Sequence, residues 1–231
     1  MDRDTAMGGP HGHFPSTQVW LLEAAAAGLP NEALDRVTAL YWKPVYRYIR
    51  VKFRQDNEDA KDLTQSFFAA ALQRDFFARF DPVRASFRTY LRMAVERFAA
   101  NQHAAAHRQK RGGDVEFEPV EEHAATAESP EKVFEREWHR QLFALALDDL
   151  RAHCEECDKQ LQFEIFRAYD LAEDQRPSYA ALAARHGIAE TAVTNHLAWA
   201  RRTLRAFVTE RLRGVTSGQQ ELRKEMRLVW K

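Results

Sequence analysis

Cysteine is nearly absent: Cys154 and Cys157 are the two in 231 residues. That excludes the disulfide framework that staples small secreted domains. Long apolar runs are missing as well. No stretch approaches the ~18 apolar residues of a membrane span. The N-terminus has no basic segment followed by an apolar core, so no secretory signal is expected and the chain is read as cytoplasmic. Net charge is also lacking, with 34 basic and 34 acidic residues. The total therefore does not single out a nucleic-acid partner. A P-loop, a GxSxG elbow and an HExxH helix are all missing. His186 and His196 have no paired nucleophile, so neither enzymatic activity nor a cofactor is expected. His153-Cys154-Glu155-Glu156-Cys157 is a lone CxxC with a poorly placed histidine, so no metal site is expected either.

What is present is sided charge. Residues 112–137 carry nine acids against Lys132 and Arg136, a net of −7. Residues 201–231 carry nine bases against Glu210, Glu221 and Glu225, a net of +6. Local fields of this kind, not the sum, meet a partner. A hydrophobic content of 45% is normal for a globular chain, and the length allows one or two domains.

Two helices of opposite character dominate the first half. In DAKDLTQSFFAAAL, helical spacing gathers Ala60, Leu63, Phe67, Ala70 and Ala71 on one side. Asp59, Asp62, Gln65, Ser66 and Gln73 fall on the other. Asp81-Pro82 breaks the chain. A second helix is expected over about 86–107, with an apolar stripe of Phe87, Tyr90, Leu91, Ala94, Val95 and Phe98. Arg84, Arg88, Arg92 and Arg97 leave its other sides, and Arg108, Lys110 and Arg111 end it. Two solvated amphipathic helices in a bundle would look like this. So would an acidic face that docks a protein beside a helix that handles a nucleic-acid strand, because rings stack on bases while arginines follow phosphates.

The flanking segments read as follows. Residues 1–16, rich in Gly, Pro and His, are expected to be disordered. Thr17 is placed to cap a helix that ends at Gly28-Leu29-Pro30. Residues 31–53 are helical in pattern, with Pro44 either kinking the helix or starting a new one. Trp42, Tyr46 and Tyr48 are read as core. The glycines, Pro119 and acids of 112–129 mark a linker. Ser129-Pro130-Glu131 starts a helix to about Arg151, and another is expected from about Cys157 to Leu171. The sharpest local signal is a helix-turn-helix over 177–207. Ser178 caps its first helix, Ala183 permits close approach, and Gly187 fits the left-handed turn position. Ile188, Val193 and Leu197 face inward. Thr191, Thr194, Asn195 and His196 leave the first turns of the second helix, suited to base edges in a major groove. Arg201, Arg202 and Arg205 lie where phosphates would pass. After Gly214 one more amphipathic helix is expected, with Leu222, Met226 and Val229 on one side. It could pack on the helix-turn-helix domain, bind a partner or bind upstream DNA.

These motifs resemble a known family. DAKDLTQSFFAAAL is similar to the "DAEDLTQ-x-x-F" helix of bacterial extracytoplasmic-function sigma factors. FRTYLRMAVERFAANQ is similar to their "FRAWL…N" helix, and WKPVYRYIR to their early region-two helix. Residues 177–207 resemble region four, "S-x-x-T-V-K-S-R-L-x-R-A-R-x-x-L". They keep Val193, Leu197, Ala200, Arg201 and Leu204 but place Thr194, His196 and Trp199 where that pattern is basic. The resemblance covers roughly 33–111 and 131–212, in the family's order.

It implies an all-α fold of two helical domains joined by an acidic linker. Residues 17–111 would be region-two-like, 112–129 the linker, 130–213 region-four-like and 214–231 a helical extension. It implies a sigma factor that binds core RNA polymerase and directs recognition and melting of promoter DNA. Asp59, Asp62, Leu63, Gln65 and Phe68 would dock polymerase. Arg88, Tyr90, Arg92, Asn101, His103, Arg108, Lys110 and Arg111 would contact the downstream element, and the helix-turn-helix residues the upstream one. The linker would pass through polymerase, its charge imitating nucleic acid. Control would fall to an anti-sigma factor, to the C-terminal extension or to a Ser/Thr kinase, for which Thr64 beside the docking face is a candidate. A stand-alone helix-turn-helix regulator that never binds polymerase is the competing interpretation.

Overall fold

A computed structural model of the protein describes residues 31–73, 76, 79–81, 83–110, 128–216 and 218–230. The expected disordered start, the Thr17-capped helix and linker residues 112–127 lie outside the described residues. Among those described, every regular element is a helix. They are α1 (Asn31–Lys52), α2 (Asn57–Gln73), α3 (Phe87–Lys110), α4 (Pro130–Glu156), α5 (Gln160–Asp170), α6 (Tyr179–His186), α7 (Glu190–Arg213) and α8 (Gln219–Val229). None of them is long and apolar enough to cross a membrane.

Two compact units result. One holds the described residues up to Gln141 together with Arg213 onward; the other is Leu142–Leu212. The division falls inside α4. The cause is in the sequence of α4. Ser129 accepts from the Lys132 N–H at 3.3 Å, and Pro130 occupies the first turn, where its missing N–H costs nothing. From there the helix meets no breaker. Its opening turns bury Val133, Phe134 and Trp138 in the first unit. Phe134 meets Tyr48 edge-on at 5.9 Å, and the Gln141 side chain donates to the Ala39 carbonyl at 2.8 Å.

Helix ends follow local chemistry. Helix α1 runs through Pro44, which is buried inside it. An interior proline costs a helix about 3 kcal/mol. The stripe Val37, Leu40, Tyr41, Val45, Tyr48 and Ile49, all nearly inaccessible, offsets that cost. Trp42 is half-buried and Tyr46 buried, in keeping with core packing. Asp56 starts α2 by accepting from the Asp59 N–H at 2.8 Å, and Glu58 and Asp59 suit the positive end of that helix. Helix α4 passes through His153-Cys154 and stops later than its sequence suggests. Asp158 takes a left-handed φ of 54°, and the Lys159 N–H reaches back to the Cys154 carbonyl at 2.8 Å. This is the Schellman closure, with aspartate standing where glycine is usual.

The first unit is closed by α8. Its sequence left three destinations open; the helix belongs to this unit rather than packing with the helix-turn-helix. Leu222 and Glu225 are its buried residues. The Glu225 carboxylate faces Nη2 of Arg88, one oxygen at 3.2 Å and the other at 3.1 Å. Nε of Arg88 lies 3.2 Å from Glu135, and its guanidinium sits 4.2 Å above the Trp138 ring. Arg88 is only 10% exposed at its side chain and Glu225 6%. Three segments distant in sequence thus meet on one cation. Burial holds the Glu225 pKa above the ordinary carboxylate range even with Arg88 adjacent. Desolvation therefore outweighs the attraction, as is common for buried pairs. The pair fixes where α8 docks: a helix shifted by one residue would leave the Glu225 carboxylate buried without its cation.

Two outcomes follow. Glu225→Ala should cost less than Arg88→Ala, because Arg88 keeps Glu135 as a partner. Arg88→Ala leaves the buried Glu225 carboxylate without its cation and is expected to destabilise the first unit by ~3–5 kcal/mol, read by urea unfolding. A loss below ~1 kcal/mol would show the pair to be solvated. The second concerns His139, whose pKa is lowered by burial and by Arg88. Its neutral form is favoured on folding. That contribution is full above its ordinary value of 6.5 and is lost as pH falls through the lowered folded value. Glu225 acts in the opposite sense, weakening the fold as pH rises above 4.5. His139→Gln should therefore be less destabilising, relative to the parent protein, at pH 5 than at pH 7.5. An equal cost at both pH values would remove His139 from the account.

Candidate nucleic-acid interface

In the first unit, α2, the turn residues Phe76, Arg79, Asp81, Arg84 and Ala85, and α3 line a cleft of about 600 Å³. Its walls are aromatic and small: Phe67, Phe76, Tyr90 and Phe98, with Ala70, Ala71 and Ala94. Phe76 and Tyr90 lie 4.9 Å apart at 32°, and Phe67 meets Phe98 edge-on at 5.7 Å. The Tyr90 hydroxyl donates to the Phe76 carbonyl at 2.7 Å, which ties the turn segment to α3. Burial raises the Tyr90 pKa against the opposing charges of Arg79 and Arg97. Arg79, Arg84, Arg97 and Asn101 stand at the rim. Asp81 organises the turn by accepting from the Val83 N–H at 3.0 Å and pairing with Arg84 at 3.1 Å. An apolar ring-lined slot under arginines matches an unstacked base with its phosphates outside.

The structure sorts the strand-contact residues chosen from sequence. Tyr90 and Asn101 line the cleft. Arg92 is half-exposed and does not line it. Arg88 is a correction: it comes off the far side of α3 and is committed to Glu135, Glu225 and Trp138. A guanidinium so enclosed does not reach a phosphate. The side chains of His103, Arg108 and Lys110, and Arg111 entirely, lie outside the described residues. Phe76, Arg79, Arg84, Met93 and Arg97 were missed as strand-contact residues. The spacing of Tyr90, Met93, Ala94, Arg97 and Asn101 marks one face of α3 and could have exposed Met93 and Arg97. Nothing local in the turn segment announces Phe76 or Arg79.

Helix α2 presents Asp59, Asp62 and Gln65 to solvent, with Leu63 half-buried. Phe68 is a second correction. It is buried, stacked on Trp42 at 5.7 Å and edge-on to Phe67 at 5.3 Å, and so holds the helix rather than offering a contact. Thr64 is a third. It is fully buried, and its hydroxyl donates to the Ala60 carbonyl at 2.6 Å, so a kinase would have to unfold α2 to reach it.

In the second unit the helix-turn-helix forms as its sequence indicates. Ser178 accepts from the Ala181 N–H at 3.1 Å and starts α6. Gly187 takes φ 64°, and the Ile188 N–H returns to the Ala183 carbonyl at 3.0 Å. Leu182, Val193 and Leu197 are fully buried between the helices. Thr191, Thr194 and Asn195 are exposed at the start of α7 and His196 is half-exposed. Arg202 and Arg205 are exposed further along. Arg201 is forked onto Asp170, both bonds 2.8 Å, and that bonding raises its pKa. It can serve a phosphate only by exchanging one anion for another.

Trp199 has a structural partner. His153 stacks on it at 6.1 Å and Lys159 lies 4.4 Å above it. Cys157 is exposed, with its sulfur 3.8 Å from Nδ1 of His153, while Cys154 is buried and its pKa raised by that burial. Among the described residues no three His, Cys, Asp or Glu side chains gather as a metal site.

No protein-family model, curated protein or solved structure matches this chain. The interface therefore rests on its own geometry.

Gly187 offers a clean test of the turn. A Cβ there would meet nothing within 4 Å, so Gly187→Ala adds no clash. The left-handed backbone alone should cost ~1–2 kcal/mol of stability in the second unit, measured by thermal or urea unfolding. No change would mean the turn relaxes freely.

Proposed function

We propose that the chain is a transcription initiation factor of the extracytoplasmic-function sigma type. It would bind core RNA polymerase in the cytoplasm and choose and open promoter DNA. The observation that carries this reading is the cleft beside α3. An aromatic slot rimmed by Arg79, Arg84 and Arg97 has the chemistry to hold a base taken out of the duplex. Two further features support it. Helix α2 offers an acidic, solvent-facing edge at Asp59, Asp62 and Gln65 for a protein partner. Helix α7 offers Thr191, Thr194 and Asn195 for base edges in duplex DNA.

In this mechanism the chain performs no covalent chemistry. Polymerase makes RNA, and this protein supplies position. Docking through α2 would bring the cleft to the start region, where capture of an unpaired base stabilises the melted state. Because the α7 reading surface is short of free cations, few counterions are released there, and binding of the upstream element should depend only shallowly on salt. Control by an anti-sigma factor acting on the acidic face fits this arrangement. Control by phosphorylation at Thr64 does not, given its burial.

The decisive experiment is transcription in vitro with core polymerase on genomic fragments, with start sites mapped. The chain is expected to join the polymerase and create new start sites. Asp62→Arg should weaken polymerase binding at least about tenfold, a loss of ~1.4 kcal/mol. Arg79→Gln with Arg97→Gln should spare that binding and slow opening. A chain that binds duplex DNA but neither joins polymerase nor redirects initiation would be a stand-alone regulator, and the proposal would be lost.

A further inference from the structure

Helix α8 is divided by charge in a way its sequence conceals. It contains two acids and three bases within Gln219–Val229. Glu225 is buried against Arg88, and Glu221 is half-buried. Gln220, Arg223, Lys224, Arg227 and Leu228 are all exposed. These five recur at i, i+3, i+4, i+7 and i+8, which is one face of a helix. Among the described residues, the outward face thus carries three cations and no fully exposed carboxylate, although Lys224 still feels the buried Glu225. The docked side holds both acids. A helix that merely filled a groove would gain nothing from this sorting, since free lysines and arginines on one face repel each other.

We infer that the outer face of α8 is a phosphate-binding strip for duplex DNA, formed by Arg223, Lys224 and Arg227. Arg223 and Arg227 lie about 6 Å apart along the helix axis. Successive phosphates of one strand advance by about 3.4 Å along the duplex, so the strip spans two or three of them. The strip is rigid because Glu225 is clamped by Arg88 on α3. Arg88 and the cleft residues Tyr90, Ala94, Arg97 and Asn101 occupy opposite flanks of that helix. An unpaired strand in the cleft and duplex along α8 would then be separated by about one helix diameter, ~10–12 Å. An anionic membrane is the less suitable polyanion. A membrane-surface helix sinks a broad apolar face into lipid; Leu222 of α8 is buried within the protein, which leaves Leu228 and Trp230 as the exposed large apolar side chains of this segment.

The strip needs no polymerase, so its test is separate from that of the proposed function. The full chain is titrated into a fluorescent 30-base-pair duplex of arbitrary sequence between 50 and 200 mM salt, and the slope of log affinity against log salt is read. Replacing Arg223, Lys224 and Arg227 together by Gln should reduce the magnitude of that slope by ~2–3, about 0.9 per phosphate contact. A charge-keeping set, Arg223→Lys, Lys224→Arg and Arg227→Lys, should retain the parent slope. Both variants should melt with the parent protein, since all three side chains are solvent-facing. An unchanged slope in the Gln variant would overturn the inference. So would a loss of affinity for phosphatidylserine vesicles without any loss for the duplex.

Discussion

The first unit depends on one buried cation. Arg88 has a carboxylate on either side, from Glu135 and Glu225, and the Trp138 ring beneath it. Those groups come from the start of α4 and from the chain's last helix. Without the cation, the Glu225 carboxylate would face an apolar interior unpaired, an expensive arrangement. With it, α3, α4 and α8 are held in one register. Such a pair adds little net stability, because burial costs it nearly what attraction returns. What it supplies is a unique answer to where the final helix goes.

That answer shapes the surfaces. With Glu225 drawn inward, α8 turns Arg223, Lys224 and Arg227 to solvent. With Arg88 withdrawn to one flank of α3, the other flank is left to Tyr90, Ala94, Arg97 and Asn101, which build the cleft. The proposed roles follow from this partition: a slot for an unpaired base, a strip for duplex phosphates, an acidic edge for a protein partner. In the second unit the same economy operates at Arg201, whose fork onto Asp170 leaves the reading of DNA to uncharged side chains.

Much of this was legible in the sequence, and the failures share a cause. The all-helical class, the boundaries of α2 and α3, the Ser178 cap and the left-handed Gly187 came from local rules. Capping, periodicity and turn geometry are properties of a few adjacent residues. Arg88, Phe68 and Thr64 were misassigned because each sits at the border of an amphipathic stripe. There, spacing alone cannot say whether a neighbouring segment covers the side chain. Covering Arg88 required Glu225, 137 positions away. The continuation of α4 past Arg151 was missed for a different reason: a left-handed aspartate at 158 is a rare substitute for the glycine that would have announced the stop.

The central claim is that the final helix is a fixed part of the first unit. Amide hydrogen exchange on the full chain tests it directly. An isolated helix of eleven residues is marginal in water, so an undocked α8 would exchange rapidly. If the account holds, the backbone amides of α8 from Leu222 to Val229 will share the slow, cooperative exchange of the buried turns of α3 around Leu91 and Val95. Exchange of α8 at the rate of a free peptide, with α3 still protected, would contradict it.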